Sequence, residues 1–167
     1  MDIFCEQLVQ KNLQPKDNLQ KFLIIFLTVF LGILVFLIAT NFLGLLFGFI
    51  LCGALFFGGF YWVSTFDVEY EYIVTNGELD IDKIIAQKKR KRVLTVSAKS
   101  FTAFGQLSSK VDTNADVKII DASDGIPDNM YYAEFNAQEV GQIRLIFSPN
   151  EKTIENLKHF IPRNLRS

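Results

Sequence analysis

Five consecutive cations, Lys88, Lys89, Arg90, Lys91 and Arg92, form the densest concentration of one charge in the chain. Near an anionic lipid surface each such residue contributes on the order of 1 kcal/mol. The run can equally be the solvated entry to a strand. Nucleic acid is disfavoured as a partner, because Glu69, Glu71, Asp80 and Asp82 precede the run and no base-stacking motif accompanies it. The acidic stretch 112–128 is the second candidate, with Asp112, Asn114 and Asp116 at the first three ligand spacings of an EF-hand. Val117 stands where the sharp turn requires Gly, however, and Ser123 where a bidentate Glu belongs. A solvated loop is expected there instead of a metal site, with Asp124-Gly125 and Pro127-Asp128 as turn signals.

Catalytic patterns are sparse. His159 is the one histidine, and no Ser or Cys nucleophile motif accompanies it. The chain has no G-x-S-x-G, P-loop, H-E-x-x-H or C-x-x-C. His159 is expected to face solvent or to interact with a helix C-terminus. No enzyme activity and no cofactor are expected. The two cysteines, Cys5 and Cys52, are too few and too separated for a disulfide framework. Cys52 reads as a small packing residue and Cys5 as an ordinary thiol, with lipidation the sharper alternative.

The element that positions everything else is Phe22–Phe66, 45 residues without a charged side chain. As one helix it would extend about 68 Å, roughly twice a bilayer's hydrocarbon core. A hairpin of two transmembrane helices follows, with spans near Phe22–Thr40 and Phe42–Val63 and a link around Thr40–Asn41. Gly44, Gly48 and Cys52 lie at four-residue intervals, Ala54 and Gly58 repeat the spacing, and Thr28 with Gly32 offers a counterpart. These small residues are candidates for close helix packing inside the hairpin, or for homo-oligomer contacts. Tyr61 and Trp62 suit the membrane interface. No ionisable residue interrupts either span, which disfavours a pump or transporter.

Lys11, Lys16 and Lys21 precede the spans, and Lys83 onward follows them. The positive-inside rule then places both termini in the cytoplasm, in a multi-pass protein of the cell membrane. The apolar run is too long and too late for a cleaved signal peptide, so a retained anchor is expected. Three segments result: a cytosolic leader at 1–21, the hairpin at 22–66 and a cytosolic domain at 67–167. In the leader, Ile3, Phe4, Leu8, Val9 and Leu13 fall at near-helical spacing, which predicts a short amphipathic helix. Pro15 ends that pattern, and Asp17 or Asn18 is positioned to cap the next helix.

After the hairpin the period becomes two. Val68, Tyr70, Tyr72 and Val74 alternate with Glu69, Glu71 and Thr75, and Asn76-Gly77 then signals a type I′ hairpin into Glu78–Ile85. Further strands are expected near Val93–Ala98, Val117–Asp121, Met130–Asn136 and Gln142–Phe147. Ser100–Asp116 is expected to be a connection with a helical turn around Phe101–Phe104. Two strand arms of similar length return the chain near the lipid surface by about Ala86. The five cations would then face the inner leaflet. A last helix is expected to open with a capping box at Ser148, Pro149 and Glu151, to present Ile154, Leu157 and Ile161, and to stop at Pro162.

The juxtamembrane EYEYIVTNGELDI, the basic KKRKRV strand entry and the terminal FSPNEKTIENLKHFIP resemble the pleckstrin-homology superfold in its bacterial, membrane-tethered form. The arrangement is similar to a bacterial family of two-span membrane proteins of unknown function. That resemblance implies a mainly-β cytosolic domain of about six antiparallel strands, a PH-like barrel or sandwich, with a C-terminal helix. It brings no catalytic motif. The expected function is a scaffold or adaptor whose domain binds a protein, a peptide through a sheet edge, or anionic lipid headgroups. A membrane-bound enzyme acting on lipid or envelope precursors, and a small subunit of a larger membrane complex, are the alternatives.

Overall fold

The computed structural model describes residues 3–107, 117–137 and 141–166. They fall into two compact units, one spanning Leu13–Asp67, the other joining the residues up to Asn12 with those from Val68 onward.

The first unit is a hairpin of α1 (Pro15–Leu43) and α2 (Leu45–Ser64), both long and apolar enough to cross a membrane. Pro15 occupies the first turn, where its missing N–H costs nothing, and Asp17 reaches back to accept from the Gln14 N–H at 3.2 Å. The helix therefore starts before the expected caps. The link also differs from the expected Thr40–Asn41. Thr40 Oγ1 and Asn41 Nδ2 both donate to the Leu37 carbonyl, at 3.0 and 2.7 Å, so their polar atoms are satisfied without a turn. The chain reverses at Gly44, whose φ of 90° suits a residue without Cβ.

The second unit holds eight strands: β1 (Phe4–Gln10), β2 (Val68–Thr75), β3 (Glu78–Ile85), β4 (Lys89–Ser97), β5 (Phe101–Gln106), β6 (Lys118–Ala122), β7 (Tyr131–Ala137) and β8 (Gly141–Phe147). They form two four-stranded sheets, ordered β1-β2-β3-β4 and β5-β7-β8-β6. All pairings are antiparallel except β6 with β8. The core is shared by both sheets and by α3 (Glu151–Lys158). Tyr72, Val74, Leu79, Ile81, Leu145, Phe147, Leu157 and Ile161 are wholly buried in it.

Three expectations are corrected. The leader is a strand, not an amphipathic helix. Cys5, Gln7 and Val9 face inward while Phe4, Glu6, Leu8 and Gln10 face outward, and the partner strand β2 begins only at Val68, beyond the whole helical hairpin. Phe4–Gln10 thus becomes the first strand of the β unit, and the helical hairpin is an insertion between β1 and β2. Cys5 is buried there, 3.7 Å from Thr153 Oγ1, and so is closed to lipidation. Second, Phe101–Phe104 is part of β5. A register shift between Phe101 and Ala103 brings two rings three residues apart onto one face, which imitates helical spacing. Third, α3 is capped by Asn150, whose side chain accepts from the Thr153 N–H at 2.8 Å. Ser148 is committed to a buried network instead.

Candidate functional site

The strand pleat divides the basic run. Asp82 pairs with Arg92, Lys83 with Lys91 and Ile85 with Lys89, so alternate residues of β4 take opposite faces. Arg90 and Arg92 share the outer face with three carboxylates. Arg90 Nη2 lies 2.8 Å from Glu71 Oε2 and 2.9 Å from Oε1, while Arg92 pairs with Asp82 and, at 2.6 Å, with Asp80. Glu71 and Asp82 are only 5% and 4% exposed, so their charge must be met by a cation. Burial pushes the Glu71 carboxyl up, a hydrogen bond with Glu6 adds to this, and Arg90 offsets only part of it. Both arginines are thereby occupied within the fold.

The lysines are not. Lys83, Lys89 and Lys91 share the other face, and Lys88 is exposed in the preceding turn. Among the described residues none of the four has an ion-pair partner. Lys83 stands directly opposite Lys91, a like-charge pairing that costs stability unless an anion joins it. The turn itself is strained, because Ala86 and Gln87 take φ of 53° and 54° without being glycine. Ile85 pairs with Val68, so this turn lies at the sheet end where β2 begins. Lys83 was not among the expected site residues. Counting back from the Asn76-Gly77 turn sets its register opposite Tyr70, but no local motif marks it.

A second feature is a groove of about 520 Å3 beside β1, lined by Gln7–Gln10, Asp124, Asp128, Tyr131 and Pro149–Glu151 among others. Lys11 N donates to Val68 O and Asn76 N to Ile3 O, so the odd-numbered residues of β1 bond to β2. The backbone N–H and C=O groups of Phe4, Glu6, Leu8 and Gln10 therefore point to the free edge. Gln7 closes one end of the groove, donating to Ser148 O at 3.0 Å and accepting from Asn150 N at 2.9 Å and Thr153 Oγ1 at 2.8 Å. Beneath it, Asp124 accepts from Ser148 Oγ and Ile126 N at 2.8 Å and from Asn129 Nδ2 at 2.9 Å. Burial alone would raise this carboxyl, but those donors outweigh it and hold it below the usual carboxylate range. With both oxygens engaged, Asp124 is a structural acceptor and not a poised base.

The other expected residues are distributed as follows. Asp112, Asn114 and Asp116 lie outside the described residues. His159 is exposed at the C-cap of α3. Among the described residues no group of three His, Cys, Asp or Glu is arranged to hold a metal ion. In the hairpin, Gly48 packs against Thr40 and Phe36, and Cys52 lies beside Gly32. Thr28 meets Gly59, a contact that the four-residue spacing does not single out. Gly44 is the link, while Ala54 and Gly58 border an apolar groove of about 450 Å3 between the helices.

The comparisons agree with this architecture. A family model described as "Bacterial PH-like domain (DUF6106)" matches residues 1–167. No curated protein and no solved structure matches. The match runs over the whole chain, and the chain therefore belongs to the bacterial PH-like domain family.

Proposed function

We propose that this protein is a non-catalytic recognition module held in the cell membrane by its hairpin, with both termini in the cytoplasm, and that its lysine face binds anionic lipid headgroups. The observation that carries the reading is the division of the basic run. Arg90 and Arg92 are paired with carboxylates on one face, whereas Lys83, Lys88, Lys89 and Lys91 have no ion-pair partner among the described residues. Lysine suits this role, being a flexible point charge that needs no fixed fork geometry. At about 1 kcal/mol each, three exposed lysines add up to roughly a hundredfold preference for an anionic surface. The strained turn at Ala86-Gln87 supports the same reading, since stored backbone strain concentrates where a surface is used.

The test is hydrogen exchange of the full chain in nanodiscs. Residues 86–91 are expected to be more protected in phosphatidylglycerol than in phosphatidylcholine, and Lys88→Gln/Lys89→Gln/Lys91→Gln to remove the difference. Equal protection in the two lipids would overturn the reading. An enzyme acting on lipid or envelope precursors has less support, because Asp124, the buried acid of the groove, has both oxygens engaged.

A further inference from the structure

We propose that the groove beside β1 is a second binding site, separate from the lysine face, and that it takes an extended cationic peptide segment of a partner protein as an added strand. The backbone supplies the first half of the argument. β1 is an edge strand, and four of its seven residues turn their N–H and C=O groups outward without a partner among the described residues. An exposed edge of this kind templates pairing with another chain unless it is blunted. Phe4–Gln10 contains no proline and no lysine, and the outward edge is first taken up only at Asn12, whose N–H donates to the Asp124 carbonyl at 2.8 Å. The edge opens into a cavity of about 520 Å3, within the range of built binding sites. At about 3.3 Å per residue, the seven residues of β1 match an added strand of similar length.

Charge supplies the second half. Asp124, Asp128 and Glu151 line the groove, and among the described residues no Lys, Arg or His does. Asp128 and Glu151 are exposed and make no ion pair among the described residues. The positive end of α3, which would otherwise attract an anion, is already satisfied. Asn150 and Gln7 take its first donors, and Glu151 sits in its first turn. An added strand places alternate side chains on one face, so cations at every second position would meet Asp128 and Glu151. A segment of the opposite charge would meet unrelieved repulsion.

The experiment uses the full chain in detergent micelles and fluorescein-labelled decapeptides of alternating Lys-Thr or Glu-Thr. It is run on the native chain and on Lys88→Gln/Lys89→Gln/Lys91→Gln, so that the lysine face does not capture the acidic peptide. In the lysine variant the Lys-Thr peptide is expected to bind at least tenfold more tightly than the Glu-Thr peptide. Asp128→Asn/Glu151→Gln is expected to weaken it about tenfold, and N-methylation of alternate peptide nitrogens to abolish binding. Leu8→Pro, which removes an outward N–H while leaving the β2 ladder intact, is expected to do the same. The methylated peptide gives that answer even if the proline variant fails to fold. In the lysine variant, equal binding of the two peptides, retention by the methylated one, or no binding of either would overturn the proposal. None of these results bears on the lysine face, which is read by lipid.

Discussion

Asp124 and Glu71 are both buried carboxyls, and their surroundings drive them in opposite directions. Hydrogen bonds from Asn129, the Ile126 N–H and Ser148 overcome the burial of Asp124 and hold its pKa low. Glu71 is raised by burial, with Glu6 adding and Arg90 only partly offsetting. A depressed native pKa contributes stability that is present above the unfolded value of about 4 and lost as pH falls through the native one. A raised native pKa does the reverse, contributing below about 4.5 and losing its effect as pH rises through the native value. Asp124→Asn is therefore expected to cost about 1–3 kcal/mol at pH 7, the amide placing donors against donors, and less at pH 3. Glu71→Gln is expected to cost little at pH 7, because the native fold already disfavours that charge. Urea unfolding at the two pH values checks both. Neither environment can be read locally, since Ser148 lies 24 residues from Asp124 and Arg90 lies 19 from Glu71.

Among the elements, the two tight hairpins of the first sheet make a contrast. Asn76-Gly77 has the residues a type I′ turn favours, with φ of 50° and 87°, and a Cβ at Gly77 would fall on the Phe160 ring. Ala86-Gln87 adopts the same hand with residues that resist it. Replacing them as Ala86→Asn/Gln87→Gly is expected to raise stability by about 1–2 kcal/mol, measured by denaturant unfolding, without changing the β3–β4 register. The first turn was legible from two residues, but the second was not, because neither Ala nor Gln signals positive φ. β1 and β5 were illegible for related reasons. A seven-residue strand whose partner is remote has no local signature beyond alternation, and a bulge disguises even that.

The whole molecule is a β unit interrupted by a helical hairpin. The interruption is slight for the sheet, because the Lys11 N–H still bonds to the Val68 carbonyl at 2.9 Å across the insertion point. A chain in which a four-residue Gly/Asn turn replaces residues 13–67 is expected to fold as a detergent-free β domain. Circular dichroism and gel filtration check this, and a chain that also lacks residues 1–12 is expected to aggregate. Removing β1 would uncover the backbone edge of β2 and leave the core without Cys5 and Val9.

By itself the sequence determined what covalent order and side-chain chemistry settle within a few residues. Forty-five uncharged residues demand an apolar hairpin, Asn-Gly demands a tight turn, and strict alternation demands half-buried strands. Tertiary structure alone decided which strand lies beside which. That choice brings residues 4–10 to β2, separates the arginines from the lysines of one basic run, and leaves the β1 edge open. The physical reason is that sheet pairing is non-local. Its hydrogen bonds and buried area exist only once distant segments meet, so no stretch of chain carries the information alone.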